Sequence, residues 1–323
     1  MSSITTTSRA PTRGRKTAIK MLKSPSKSSL FSSTTVHVLI FALCVAVSAL
    51  FINSPPQDTD VSSRDAPNPL SEQYPELISG NLNGTTLIVP IPLAKARQLI
   101  PQEWGIVENA YRSLLPDFPA GMYPMMAQVV HDHDIRLPAW NSSMPDFSRA
   151  SFEFPFIDIF GDGTSSFRWM GSSMISASNP MAVEGAASYY GITVYPAAFD
   201  PPNDAYRALS DGSTYTSSQS SSGNATKFMT LEAAPSFDAV PYSLDFMKNI
   251  TNQPVFANAG VCDYYQRLYN TTLTTDFPPV PVVGSVKADL DPFPSVESHS
   301  GVYGWQFSTM FLEPPIPAAC TPA

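Results

Sequence analysis

The chain predicts an α+β domain that is mainly β, one barrel-like unit with a few short helices, preceded by a single transmembrane helix. Three observations lead there. Thirty-two prolines are spread over 323 residues, which suits many short strands joined by rigid loops better than a helical bundle. Short β-branched and aromatic runs recur between turn residues along the second half of the chain. One uncharged apolar stretch, residues 36–52, stands apart from them.

That stretch, Val36 to Ile52, is at the lower edge of what crosses a bilayer as a helix. Before it lie Arg9, Arg13, Arg15, Lys16, Lys20, Lys23 and Lys27 and no acid. The positive-inside rule then places residues 1–35 in the cytosol as a basic tail and the main domain in the lumen or outside the cell. Residues 36–52 are read as an uncleaved signal-anchor, with a cleavable signal peptide ending near Val47-Ser48-Ala49 as the alternative. Residues 53–75, rich in Pro, Ser and Asp, read as a flexible stalk, and 76–323 as the lumenal domain. The domain is acidic, so it repels phosphate, and no nucleic-acid partner is expected.

Five Asn-x-Ser/Thr sequons follow the anchor, at Asn83, Asn141, Asn224, Asn249 and Asn270. With Cys44 inside the apolar stretch, Cys262 and Cys320 remain as one possible disulfide in an oxidising compartment, or as two free thiols.

Along the domain, Thr85 to Ile91 reads as a strand and Leu93 to Ile100 as a helix ending before Pro101. Met122 to Val130 is extended. Ser151 to Phe156 alternates aromatic and other residues like a half-buried strand, and Pro155 marks an edge or bulge. Phe167 to Ile175 returns beside it. Met181 to Tyr190 is helical, closed by Gly191, and Ile192 to Tyr195 is the next strand. Residues 209–224, rich in Ser, read as an exposed loop. Lys227 to Leu231, Tyr264 to Leu273, Val280 to Leu290 and Gly301 to Leu312 complete the strands.

Two stretches carry a family resemblance: Val89-Pro90-Ile91-Pro92-Leu93 through Ile100-Pro101, and Ala186-Ala187-Ser188-Tyr189-Tyr190-Gly191-Ile192-Thr193-Val194-Tyr195 after Asn179-Pro180-Met181-Ala182. They resemble the acetoacetate decarboxylase family: its early strand and helix, then its short helix, glycine turn and strand. The resemblance implies a β-barrel around a dry pocket, and a decarboxylase that forms an imine on a lysine activated by a cationic neighbour and by desolvation. In the family that strand carries two adjacent lysines. Here the positions read Val194 and Tyr195, so the resemblance implies a divergent member without the Schiff-base nucleophile. Lys227, Lys248 and Lys287 lie in other segments.

The expected function is therefore a small-molecule enzyme that acts without an imine lysine on a keto or polyketide-like substrate. Decarboxylation, cyclisation or isomerisation by proton transfer would suit it, with specialised metabolism as the expected setting. Glu153, if it points inward among Phe152, Phe154 and Phe156, has its pKa raised by desolvation and serves as acid/base; plain alternation instead turns it to solvent. Arg168 and Tyr190 are the candidates for stabilising negative charge. No cofactor is implied. One alternative is a non-catalytic binder of an apolar small molecule. Another is a metal-dependent hydrolase using His131 and His133, which share a strand face and need a further ligand such as His299. No Gly-x-Ser-x-Gly, phosphate loop or zinc-cysteine pattern is present.

Overall fold

The structure is a computed structural model that describes residues 67–220, 226–258, 260–269 and 278–322. Nine strands form a closed ring: β1 (Ile78–Pro92), β2 (Met122–Leu137), β3 (Phe147–Asp158), β4 (Ser172–Ser176), β5 (Thr193–Asp200), β6 (Thr214–Ser220), β7 (Lys227–Pro235), β8 (Val280–Asp289) and β9 (Glu297–Glu313). Each pairs with the next in sequence, and β9 returns to β1. All junctions are antiparallel except β4–β5. A ring with an odd number of strands cannot alternate direction all the way round, so one parallel junction is unavoidable. A parallel junction needs a crossover, usually a helix.

Five α-helices accompany the ring among the described residues: α1 (Leu70–Gln73), α2 (Leu93–Leu99), α3 (Glu108–Leu114), α4 (Pro180–Tyr190) and α5 (Leu244–Thr251). The crossover is α4. Its start is set by Asn179, whose Oδ1 accepts from Ala182 N at 3.0 Å, with Pro180 in the first turn. Its end is set by Gly191 at φ 69°, a left-handed cap that suits glycine.

Strand periodicity assigns each residue to one side of the wall. Val129, Ala150 and Met174 meet in register across β2–β4 and face the barrel interior with Leu231, Ala233, Val286 and Ala288. The other face differs around the ring. On β6–β8 it is solvated, with Gln219, Glu232 and Lys287 exposed. On β2–β4 it lies under a second layer, made of short strands Phe167–Trp169, Val255–Phe256, Cys262–Asp263 and Gln266–Leu268 together with α4. β3 enters this layer at a bulge: its register shifts between Phe154 and Ile157, and Phe156 sits at φ 62°. Such a φ is costly for a bulky residue. The bulge is held by Phe156 N donating to Gln253 Oε1 at 2.8 Å and Phe156 O accepting from Val107 N at 2.8 Å.

Several expectations change. The serine-rich stretch 209–224 is not a loop throughout, because β6 runs through it. Thr216, Ser218 and Ser220 are buried; Thr216 Oγ1 donates to Ala205 O at 2.6 Å and Ser218 Oγ to Met229 O at 3.3 Å. The fold begins before residue 76. Asn68, Leu70 and Ser71 are buried, and Asn68 Nδ2 donates to Asp134 O at 2.9 Å. Asn83 is buried inside β1, paired on both sides, so no glycan can be carried there in the folded chain. Asn141 and Asn249 are exposed, while Asn224 and Asn270 lie outside the described residues. The apolar stretch 36–52 also lies outside them, and no described helix is long and apolar enough to cross a membrane. Cys262 and Cys320 form a disulfide with Cα atoms 4.9 Å apart.

Candidate functional site

Between the outer face of β2–β4 and the second layer lies a cavity of about 170 Å³. Glu153, Arg168 and Tyr190 all line it. Alternation along β3 turns Phe152 and Phe154 to the interior and Glu153 outward. The second layer covers that outer face, so Glu153 is 1% exposed instead of solvated.

The expected proton carrier is held as a carboxylate. Glu153 Oε2 is 2.9 Å from Arg168 Nε, and Oε1 accepts from Ser151 Oγ at 2.9 Å and from the Gln128 amide. Burial pushes its pKa up, but Arg168, then Arg149 and Arg267, outweigh burial, and the pKa lies below the ordinary value. Arg168 is anchored in turn by donating to Thr251 O at 2.9 Å. Gln128 Oε1 accepts from Arg267 Nη2 at 2.9 Å. Beside this group, Arg149 grips Asp132 through two bonds, 2.8 and 3.3 Å. Both arginines on the cavity wall therefore already face a carboxylate.

A second pair of acids behaves differently. Tyr190, at the end of α4, donates its hydroxyl to Glu313 Oε1 at 2.6 Å. Burial, reinforced by the negative charge of Asp263, raises Glu313 to about 8. Burial raises Asp263 to about 6, against the opposing bond from Tyr265 N. Sequence reasoning missed Asp263, Glu313, Arg149, Asp132, Gln128 and Arg267. The signal available was alternation itself: Arg149, Ser151 and Glu153 fall on one face of β3, and Gln128 and Asp132 on the matching face of β2. Polar residues repeated on one face of two paired strands suggest a network when something covers that face.

Val194 points outward too but is half-buried in a small apolar cluster with Met170, Ile192 and Val255, beside Tyr190 and Ala186. Val194 does not reach the cavity wall, and none of the described residues on that wall is a lysine. Lys227 pairs with Asp289 and Asp291 at 3.0 and 3.3 Å, and Tyr195 donates to Asp291. His131 and His133 face the interior with rings stacked 6.1 Å apart. His131 Nδ1 bonds Ser148 Oγ at 2.9 Å, and His299 pairs instead with Glu297. No group of three metal-ligating side chains gathers among the described residues.

Comparisons place the chain beside few known proteins. No family model and no curated protein matches it. Among solved structures it is similar to an acetoacetate decarboxylase-like enzyme from Sphingomonas wittichii RW1, at 11% identity and TM-score 0.40, covering 76% of this chain and 94% of that one. It is also similar to the enduracididine biosynthesis enzyme MppR, at 10% identity and TM-score 0.44, covering 80% and 96%.

Proposed function

We propose that the domain is a small-molecule enzyme that moves protons in this cavity without an imine-forming lysine. The substrate is a small keto or polyketide-like compound, and the outcome is decarboxylation, cyclisation or isomerisation. The observation that carries the reading is the Asp263–Glu313 pair. Burial raises both carboxyls on this cavity wall above the ordinary range, Glu313 with the added charge of Asp263, so the pair holds and exchanges a proton near neutral pH, the arrangement that acid–base chemistry requires. Asp263 removes a proton next to a carbonyl, while Glu313, hydrogen-bonded to Tyr190, protonates or holds the developing enolate oxygen. The Glu153–Arg168 pair supplies a rigid, charge-balanced floor; it does not exchange protons.

The cavity is only slightly larger than a void of about 150 Å³, which takes up benzene. Met144, Met170, Ile175 and Met181 give it apolar walls, and these favour a second reading, a non-catalytic binder of an apolar small molecule. We further place the domain on the lumenal or outer side of a secretory membrane, tethered through residues 36–52.

The test is deuterium exchange. Small 3-keto acids and cyclic ketones are incubated with the protein in heavy water, and loss of α-protons and release of carbon dioxide are followed by NMR. Exchange above the buffer rate, lost in Glu313→Gln and Asp263→Asn variants that still fold, supports the enzyme. Ligand-raised Tm without exchange supports the binder. Full exchange in both variants overturns the assigned pair.

A further inference from the structure

The cavity has a neighbour. An open groove of about 570 Å³ lies on the surface beside it, and its polar lining includes Asp134, Arg136, Asn141, Ser142, Ser143 and Asp146. Two residues wall both spaces, Ile135 and Met144. They stand directly opposite each other, Ile135 on β2 and Met144 on the short strand Ser142–Met144. The inner chamber of about 170 Å³ and the groove therefore share one partition.

The two halves of that partition differ in stiffness. Ile135 is buried, β-branched and built into a strand of 16 residues. Met144 is half-buried and unbranched, on a strand of 3 residues that pairs with β2 alone and ends the sheet. A segment with one ladder partner and exposed neighbours, Ser143 and Pro145, is cheap to displace. One further contact restrains it. Asn179 Oδ1 caps α4 by accepting from Ala182 N at 3.0 Å, and Asn179 Nδ2 donates to Pro145 O at 2.6 Å. The amide that starts the roof helix thus also fixes the residue after Met144.

The two spaces differ in chemistry as well. Met170, Ile175 and Met181 make the chamber apolar on this side. In the groove, Arg136 Nε lies 2.6 Å from Asp134 Oδ1, a pair that cancels, and the charge of Asp146 is left in excess. An anion is disfavoured there. Hydroxyl groups suit it, because they can donate to and accept from Asn141, Ser142 and Ser143.

This deepens the reading of the cavity as the substrate site and rests on it. We propose that the site takes a two-part molecule. Its keto head, of about benzene size, fills the chamber. Its neutral, hydroxyl-bearing extension, a sugar or other polyol, lies in the groove. Met144 is the side chain that swings between the two spaces and selects which heads enter. Asn179 is a positioning residue, holding the Met144 segment against the roof.

The experiment uses the full chain and three probes with one head: fluorobenzene, 4-fluorophenyl glucoside and 4-fluorophenyl phosphate. Affinity and exchange rate are read by fluorine NMR. The glucoside should bind at least about tenfold tighter than the other two. Ser142 shares a strand face with Met144, so Ser142→Trp should fill the groove and bring the glucoside down to the affinity of fluorobenzene, with fluorobenzene binding kept. Met144→Ala should speed exchange of both neutral probes about tenfold or more and admit a naphthyl glucoside that the parent chain rejects. Asn179→Asp keeps the oxygen that caps α4 and loses the donor to Pro145, so it should speed exchange in the same way if Met144→Ala does not fold. Equal affinity for glucoside and fluorobenzene, tighter binding of the phosphate, no binding of any probe, or unchanged exchange rates in both variants overturns the two-part site. Proton exchange of small ketones together with equal affinity for glucoside and fluorobenzene would sink this inference and leave the enzyme reading intact. Glucoside preference with faster exchange in Met144→Ala, but without turnover of any ketone, would leave the two-part site standing and sink the enzyme.

Discussion

Glu153 and Glu313 bring the same side chain to one cavity and leave it with opposite protonation. Both are desolvated, which favours the neutral acid. Glu153 has Arg168 at 2.9 Å and stays charged; Glu313 has a tyrosine hydroxyl and Asp263, and takes up a proton. Neighbours decide the outcome, and the run Ser151 to Phe156 does not contain them, so the raised pKa expected for Glu153 belongs instead to Glu313. Breaking the buried pair by Arg168→Met should strand a carboxylate and cost about 3–5 kcal/mol in urea unfolding. Glu153→Gln with Arg168→Met should recover much of that loss. Glu313 also sets a pH trend. Its folded pKa lies above its unfolded one, so its contribution is complete below about 4.5 and is lost as pH rises through about 8. Tm should fall over that window, and Glu313→Gln should flatten the slope. His131 acts in the opposite direction. Burial lowers it to about 4, so its contribution holds above 6.5 and is lost as pH falls toward 4. His131→Asn should blunt acid unfolding in that range.

At the scale of elements, those with strong local chemistry were legible. The helix from Met181 to Tyr190 could be read from its prolyl start and glycine stop, and the bulge in β3 from Pro155. The β6 strand was not legible, because serine is a loop former by propensity and becomes a strand residue only where neighbouring strands accept its hydroxyl inside the barrel. The covering of β2–β4 was likewise hidden, since it is built from short pieces far apart in sequence, such as Val255–Phe256 beside Phe167–Trp169. Helix α4 offers a clean test of the roof. Gly185→Ala removes a helix-weakening residue without a clash and should stabilise the fold by about 0.5–1 kcal/mol, read as a higher Tm. By contrast, a Cβ at Gly304 would sit 2.0 Å from Thr86 O, where β9 passes β1. Gly304→Ala should therefore destabilise by several times that amount or prevent folding.

For the molecule as a whole, a β-rich barrel with few helices could be read from proline content and strand spacing. Ring closure came only through the family resemblance, which implied a β-barrel; proline content and spacing do not give it, because it depends on β9 finding β1 across more than two hundred residues. The Cys262–Cys320 disulfide adds a link across 58 residues. Chain-entropy reasoning assigns such a loop about 4 kcal/mol, so replacing both cysteines by alanine should lower stability by up to that amount in denaturant titrations. Asp263 follows Cys262 directly, so the same change should weaken ligand binding as well. Glycopeptide mapping of chain made in a secretory host should find sugar on Asn141 or Asn249 and none on Asn83. The closing ladder between β9 and β1 has one more implication. Its terminal rung pairs Ile78 with Glu313, and both residues wall the cavity. The seam of the barrel and the acid of the site are thus one place, and fraying of that rung takes Glu313 away from Tyr190. If Glu313 carries the proposed proton transfer, loosening of this seam should abolish it before the barrel melts, and amide exchange at Ile78 and Glu313 would time that event.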